Sequence, residues 1–264
     1  MTYPVVAHLE REPLRNIVLL KHLEAFPDDT TLHHMSGPQG MAALVLLRVA
    51  ASAYDLRTYP TAELAALVAS DHPDLTRALL AQVPTDAGVV FKLPSDADRD
   101  VVAARFTLQR CTSVLSFTAA TPFARDAQVR VTAAPDAAVH ALFEAQNHGR
   151  AWLEPLLRAG RAFACVLEQD GQTQAVCFAF ENYRHVWEIG GLFTLPDWRG
   201  RGLAARVTRT AIAELQARHL VPRYQVHDDN RASIRVAQSI GLQRFLTITH
   251  FLHTPGTPEE RQRR

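Results

Sequence analysis

The sequence predicts a mixed α/β fold, with its helices and mixed sheet arranged in two halves. Segments with strand patterning alternate with segments whose apolar residues recur at helical spacing. A stretch of small residues with one proline, 118–127, interrupts this pattern, which then starts again. With 264 residues, of which 47% are apolar and 21% charged, the chain is long enough to bury the cores of two small domains. We therefore predict domains at residues 1–122 and 123–264.

Composition excludes several classes of protein. The formal net charge of +1 gives no general electrostatic attraction to nucleic acid or to an anionic membrane. Three scattered cysteines are too few for a disulfide framework or a cysteine-rich zinc site, and we expect them in buried packing. No secretory pattern opens the sequence, and no run approaches the roughly 20 apolar residues of a membrane helix. We expect a soluble, cytoplasmic protein without a nucleic-acid or membrane partner; the oligomeric state stays open, a homodimer included.

The first half is predicted from local apolar spacing and from capping residues. Pro13 lies in the first turn of its first helix, and Thr61 is placed to cap a later one. The predicted elements are, in order, a helix at 12–26, strands at 41–49 and 51–58, a helix after Thr61 that carries Leu64, Leu67 and Val68, a short helix with Leu75, Leu79 and Leu80, a strand at 88–93, a helix from Ser95 or Asp96 to Phe106, and a strand at 108–118.

The second half predicts the order β-α-α-β-β-β-α-β-α-β. Asp170-Gly171 marks a two-residue hairpin between two of these strands. The predicted elements are, in order, a strand at 128–132, helices at 135–146 and 152–157, strands at 162–168, 173–181 and 185–194, a helix at 203–219, a strand at 223–227, a helix at 233–240, and a strand at 242–252.

One glycine turn carries the clearest chemical signal. Pro196 ends a predicted strand, and Gly200 and Gly202 follow immediately before a strongly amphipathic helix. The first turn of a helix has unpaired N–H groups and a partial positive charge, and glycines leave those donors open to a phosphate. Arg199 and Arg201 add positive charge, so the turn suits a pyrophosphate. The spacing is not that of a P-loop or of the three-glycine dinucleotide fingerprint. An ordinary tight turn with solvated arginines is the alternative.

At this turn the sequence resembles a known family. Arg199-Gly-Arg-Gly-Leu-Ala204 matches the Q/R-x-x-G-x-G/A signature of the GNAT superfamily of acyl-CoA-dependent N-acetyltransferases. The stretch 229–242, which begins Asp-Asn-Arg-Ala-Ser, is similar to the family's second motif. The resemblance covers about 128–252 and implies the GNAT fold there. The first half lacks the signature, and its α/β order resembles the smaller, degenerate GNAT-like domain of tandem family members, a companion rather than a second catalytic site.

The resemblance also implies contacts with acetyl-CoA as a co-substrate. Pantetheine would pair with backbone groups of one strand as an added β-strand does, and the glycine turn would hold the pyrophosphate. Asn230 suits helix capping as well, and both roles are compatible. The implied contacts are Leu192, Phe193 and Thr194 for pantetheine, Arg199, Gly200, Arg201, Gly202, Leu203, Ala204 and Ala205 for the pyrophosphate, and Asn230 for the pantetheine arm.

Glu188 is the candidate catalytic residue. It lies 11 positions before Arg199, the spacing at which some family members have a general-base glutamate. An ammonium group must lose a proton before its nitrogen can attack a thioester, so the reaction requires such a base. Apolar residues flank Glu188 in sequence, so we expect an apolar setting; a glutamate on the strand rim, facing water or paired with an arginine, is the alternative. Gly190-Gly191 predicts a bulge or a close approach of a ligand to this strand.

One departure from the family concerns the leaving thiolate. Many members have a tyrosine in the second motif that protonates this group, and the matching position here is Ala237. His227 and His250 are candidate substitutes, each with an ordinary role at a strand as its alternative. His33-His34 has no cysteine or acidic residue at ligand spacing, so no metal site is expected.

The implied activity is transfer of an acetyl group from acetyl-CoA to a primary amine of a small molecule or peptide, by direct attack. A non-catalytic acyl-CoA-binding or regulatory module is one alternative, which Ala237 favours. A tandem transferase that takes acyl groups from aminoacyl-tRNA is a second, against which the neutral charge and the intact turn argue. The sequence does not identify the acceptor amine.

Overall fold

The computed structural model describes residues 4–255. Its helices are α1 (Pro4–Leu9), α2 (Pro13–Ala25), α3 (Ala53–Thr58), α4 (Pro73–Leu79), α5 (Asp96–Ala103), α6 (Ala137–Glu144), α7 (Arg150–Arg158), α8 (Leu203–Ala217) and α9 (Arg231–Ser239). Its strands are β1 (Thr30–Gly37), β2 (Gly40–Arg48), β3 (Leu64–Ser70), β4 (Val89–Leu93), β5 (Gln109–Thr118), β6 (Val129–Thr132), β7 (Ala162–Gln169), β8 (Gln172–Tyr183), β9 (Val186–Thr194), β10 (Val221–His227) and β11 (Gln243–His253). The predicted mixed α/β class is confirmed.

The chain divides into two compact units. One comprises the described residues up to Val114 together with those from Leu246 onward, and the other comprises Leu115–Phe245. Most of β11 therefore belongs to the first unit, although it ends the second half of the sequence. The predicted domain boundary after residue 122 stays a prediction. Between residues 4 and 255, no helix combines the length and the apolar character needed to cross a membrane.

The first unit contains a sheet in the order β1-β2-β3-β4-β11. The β3–β4 pair is parallel, and the other three pairs are antiparallel. β3 is enclosed on both edges by neighbours, and its middle residues are buried. Helices α4 and α5 cover a core that includes Leu44, Phe91 and Phe106.

The second unit contains the end of β5, from Leu115 onward, and then strands in the order β10-β9-β8-β7-β6. β9 and β10 are parallel, and the pairs from β9 to β6 are antiparallel. Helix α8 packs on one face through Val207, Ala211 and Leu215, and the buried Ala237 of α9 belongs to the same core. Helices α6 and α7 pack on the opposite face, where the core includes Phe143 and Phe178. The two faces of this sheet are therefore covered by different pairs of helices.

Two predictions for the first half are wrong. The predicted strand at 51–58 is mostly helix α3, whose N-terminus Ser52 caps by accepting a 3.2 Å hydrogen bond from the Asp55 N–H. The predicted helix after Thr61 is strand β3, because Leu64, Leu67 and Val68 fit helical spacing only within a run that is apolar throughout. Such a run is also typical of a strand buried on both faces. Strand β1 and the short helix α1 were not predicted.

The predicted order of the second half is confirmed element by element. In the hairpin between β7 and β8, Asp170 and Gly171 have φ values of 53° and 74°, as expected for its two-residue turn. Of the cysteines, Cys165 and Cys177 are buried as expected, whereas Cys111 is exposed. His33 and His34 lie on β1, and no group of three or more potential metal ligands occurs among the described residues.

We expect the stability of the first unit to decrease in acid because of His22. Burial lowers the pKa of His22 from 6.5 to about 3, with Lys21 and Lys92 acting in the same direction. Between these pH values the unfolded chain binds one more proton, so the free energy of unfolding falls as pH decreases, by about 1.4 kcal/mol per pH unit. Urea unfolding at pH 7, 5.5 and 4.5 measures this slope. In His22→Phe the slope should be shallower; equal slopes would contradict the assignment.

Candidate active site

The glycine turn leads from β9 into α8. β9 ends at Thr194, and a short 3-10 turn at Pro196–Trp198 follows. Gly200 and Gly202 then have φ values of 77° and 75°. Only glycine adopts this left-handed conformation without a steric cost, so the backbone conformation of the turn favours glycine at both positions.

The N-terminus of α8 is open. Gly202 is its N-cap, and no side chain forms a capping hydrogen bond there. A Cβ atom at Gly200 or Gly202 would meet no other atom within 4 Å. The backbone N–H of Arg206 bonds to the Gly202 carbonyl at 3.2 Å, so the N–H groups of the three preceding residues lie in the first turn, ahead of that bond. The partial positive charge of the helix is concentrated at these groups.

The arginines near the turn have different partners. Arg199 donates from Nε to the Thr194 carbonyl at 3.1 Å, and the Arg201 guanidinium lies 4.6 Å from the centre of the Trp198 ring. Arg206, one turn into α8, instead forms an ion pair with Asp126 and holds the pKa of that carboxyl below its usual range. The Asp126 carboxylate is thus already neutralised by an arginine.

The parallel strands β9 and β10 separate beside the turn. Their pairing covers Val186–Ile189 and Val221–Tyr224 only, although β9 continues to Thr194 and β10 to His227. In the same part of β9 the register with β8 shifts, and Gly191 has a φ of 60°. A Cβ atom at Gly191 would lie 2.3 Å from the Phe178 ring, so the bulge requires glycine. The predicted bulge is thus present, and the two strands diverge next to it.

The predicted pantetheine contacts lie on this separated segment of β9. Leu192, Phe193 and Thr194 are partly buried. The hydroxyl oxygen of Thr194 is buried without a hydrogen-bond partner in the described residues. A buried hydroxyl group without a partner is uncommon and costs free energy, so this position suits a bound polar group. Together with the open helix N-terminus, this segment fits an extended ligand that carries a diphosphate.

Glu188 has polar partners that its apolar neighbours in sequence did not predict. Its Oε2 atom accepts a 2.7 Å hydrogen bond from Asn182 and a short, charge-assisted bond from Arg223. Neighbouring side chains along a strand point to opposite faces, so the apolar residues beside Glu188 in sequence face α8 instead. The structure thus has the alternative arrangement, in which Glu188 pairs with an arginine. Both bonds go to Oε2, so neither Asn182 nor Arg223 bonds to Oε1.

Arg223 is a residue of this site that sequence reasoning missed. It is fully buried, lies beside Glu188 in the β9–β10 register, and donates from its other terminal nitrogen to the Ser116 hydroxyl at 3.2 Å. A buried charge requires a partner, and Glu188 is that partner. The available signal was an arginine at the start of the predicted strand 223–227, but only the register could identify its partner.

The remaining candidates are dispersed. Asn230 caps α9, because its side-chain oxygen accepts a 3.1 Å hydrogen bond from the Ser233 N–H. This is the helix-capping role that the sequence also suggested for Asn230. Ala237 is buried in the core and has no group that could donate a proton. His227 is the last residue of β10. His250 is buried in the first unit, where its Nδ1 lies 2.5 Å from the Tyr59 hydroxyl.

Comparison with known proteins agrees with this geometry. Residues 129–242 match the model of the Acetyltransferase (GNAT) family. No curated protein matches the chain.

Similar solved structures show the fold over most of the chain. A GCN5-related N-acetyltransferase from Kribbella flavida has a TM-score of 0.54 at 17% identity, covering 92% of this chain and 97% of that one. Another from Sphaerobacter thermophilus has a TM-score of 0.53 at 14% identity, covering 82% and 78%. A GNAT-family acetyltransferase from Colwellia psychrerythraea has a TM-score of 0.52 at 15% identity, covering 69% of this chain and 72% of that one. These likenesses show the fold, and residues 129–242 carry the match that identifies an acetyltransferase (GNAT) domain within this chain.

Proposed function

We propose that this protein transfers the acetyl group of acetyl-CoA to a primary amine by direct attack of the amine. The observation that carries the proposal is the open N-terminus of α8, approached through two positive-φ glycines and adjoining the separated segment of β9. These features suit a diphosphate followed by an extended chain. The match of residues 129–242 to the Acetyltransferase (GNAT) family supports an acyl-CoA as the group bound there.

The proposed cofactor contacts follow the course of the turn. Backbone groups on the separated segment of β9 pair with pantetheine, and the first N–H groups of α8 bind the diphosphate, with arginines on either side of Gly200. Asn230 adds a contact to the pantetheine arm and also caps α9. The proposed set is Leu192, Phe193, Thr194, Arg199, Gly200, Arg201, Gly202, Leu203, Ala204, Ala205 and Asn230.

Glu188 is proposed as the general base. Acetyl-CoA supplies the acetyl thioester. Oε1 of Glu188 takes a proton from the acceptor ammonium, which gives the amine nitrogen the lone pair that forms the new C–N bond. Arg223 and Asn182 hold the carboxylate through Oε2, so that Oε1 has a fixed position. N–H groups on the separated segment of β9 are suited to stabilise negative charge on the acyl oxygen.

A dedicated acid for the leaving group is not part of this proposal. The family position for that acid is Ala237, which is buried and has no ionisable group. A thiol has a pKa of about 8.5, so its anion is an adequate leaving group near neutral pH. We propose that transfer proceeds without a side chain on α9 as proton donor. The first half is proposed as a degenerate GNAT-like domain without a catalytic site.

A thiol-release assay tests this function. The protein is incubated with acetyl-CoA and a panel of amines, and free CoA is measured with a thiol reagent. We expect release that depends on the amine and exceeds the rate without amine. Micromolar acetyl-CoA binding in calorimetry, without release for any amine, would instead support the non-catalytic binding module.

A further inference from the structure

An aromatic cluster shares a sheet face with Glu188. In the β8–β9 register, Phe180 lies directly opposite Glu188, and Phe178 lies opposite Gly190. Opposed residues of antiparallel strands share a face, so the two rings lie beside the carboxylate. The cluster is completed from the α6–α7 connection and the first turn of α7, and it consists of His148, Trp152, Phe178 and Phe180.

The rings of the aromatic cluster support one another edge to face. The His148 ring lies 4.9 Å from that of Phe178 at 86°, and the Trp152 ring lies 5.1 Å from that of Phe180 at 80°. Trp152 nevertheless remains 45% exposed, and it is one of the few large apolar side chains that are exposed among the described residues. An exposed tryptophan held in position by a partly buried aromatic neighbour is suited to contact a flat apolar ligand.

The charges near the aromatic cluster limit what it can recognise. Arg150 and Arg161 form ion pairs with Glu154 and Glu181, at 3.0 and 2.8 Å. Arg223 is fully buried against Glu188, so it is not accessible to a ligand.

His148 adds no positive charge at neutral pH. Burial lowers the pKa of this ring below its usual value, with the Glu188 carboxylate opposing the shift. A ligand carboxylate would meet only arginines that are already paired with glutamates, and a second ligand ammonium would find Glu154 and Glu181 already paired with arginines.

We propose that the acceptor is a primary monoamine carried on an aromatic body, an inference that rests on the proposed function. Its aromatic body contacts Trp152 and Phe180, and its ammonium group bonds to Oε1 of Glu188. The ammonium group then loses a proton to Glu188, and its nitrogen forms the bond to the acetyl carbon while the thioester C–S bond breaks and CoA leaves as its thiolate. Amino acids and polyamines are poor acceptors, because the site leaves their additional charges unpaired.

Matched amines test this substrate class. 2-Phenylethylamine and phenylalanine differ only by a carboxylate, so we expect kcat/KM to be roughly 100-fold higher for the first. n-Hexylamine lacks the ring, and its kcat/KM should be lower than that of 2-phenylethylamine by about 3- to 10-fold. Spermidine should be a poor substrate. Equal or better use of phenylalanine, n-hexylamine or spermidine would overturn the inference.

Variants at Trp152 test the contact itself. Trp152→Ala should raise KM for 2-phenylethylamine by about 5- to 10-fold, with kcat and KM for acetyl-CoA nearly unchanged. Trp152→Phe should recover most of the loss. Arg158→Ala, in the exposed last turn of the same helix, is the matched control and should behave as the parent protein. An unchanged KM in Trp152→Ala would overturn the inference.

A binding measurement separates this inference from the proposed function. 2-Phenylethylamine is titrated calorimetrically into the protein in the presence of CoA, so that no transfer is required. Binding that is weakened by Trp152→Ala, without transfer to any amine, supports the site and contradicts the proposed function. Transfer to other amines with no measurable 2-phenylethylamine binding overturns this inference and leaves the proposed function intact.

Discussion

Gly202→Glu is expected to abolish measurable acetyl-CoA binding. The substitution places a carboxylate at the open N-terminus of α8, where the diphosphate is proposed to bind. Two like charges about 4 Å apart repel by about 4 kcal/mol at a protein surface, which corresponds to a loss of affinity well above 100-fold. Isothermal titration of acetyl-CoA measures the effect.

The control for this variant is Gly171→Glu. Gly171 has a φ of 74°, close to the 75° of Gly202, and a Cβ atom there would also meet nothing within 4 Å. Both variants therefore carry the same backbone strain, of roughly 1–2 kcal/mol, and the same added charge. We expect Gly171→Glu to bind acetyl-CoA as the parent protein does. Parent-like affinity in Gly202→Glu would count decisively against the proposed diphosphate site.

Glu188→Gln is expected to lower kcat by about 100-fold or more while leaving acetyl-CoA affinity within about twofold. The amide retains an oxygen that can accept the bonds from Asn182 and Arg223, but it cannot take up a proton. The residual rate should therefore depend on the fraction of free amine and rise with pH toward the pKa of the acceptor. Steady-state kinetics from pH 6 to 9.5 measures this, and parent-like activity at every pH would remove Glu188 from the mechanism.

The stability of Glu188→Gln has to be measured alongside its kinetics. The substitution leaves the fully buried Arg223 without a counter-charge, which we expect to cost about 3 kcal/mol of unfolding free energy. The double variant Glu188→Gln with Arg223→Met removes both charges and should recover part of that loss. Because it also lacks the base, its kcat should stay low. Loss of activity in a stably folded double variant then reports on the missing base and not on unfolding.

Elements of the second half were predictable because their signals are local. The β7–β8 hairpin follows from two residues, and the amphipathic stripe of α8 follows from four-residue spacing. In the first half, β3 was mistaken for a helix because an apolar run without polar residues fits both spacings. The neighbours of β3 on either edge determine its structure, and they are distant in sequence.

The amino-acid sequence by itself determined the glycine turn and its relation to α8. Backbone φ, the end of a strand at a proline and the start of a helix each depend on a few consecutive residues, so Pro196, Gly200 and Gly202 are sufficient. Only the tertiary structure decided the environment of Glu188, because Arg223 lies 35 positions away and meets it through strand register. Only the tertiary structure, likewise, brought the aromatic cluster together and placed most of β11 in the first unit. Side-chain neighbours across a sheet depend on which strands pair and in which register, and short-range patterns carry no information about either.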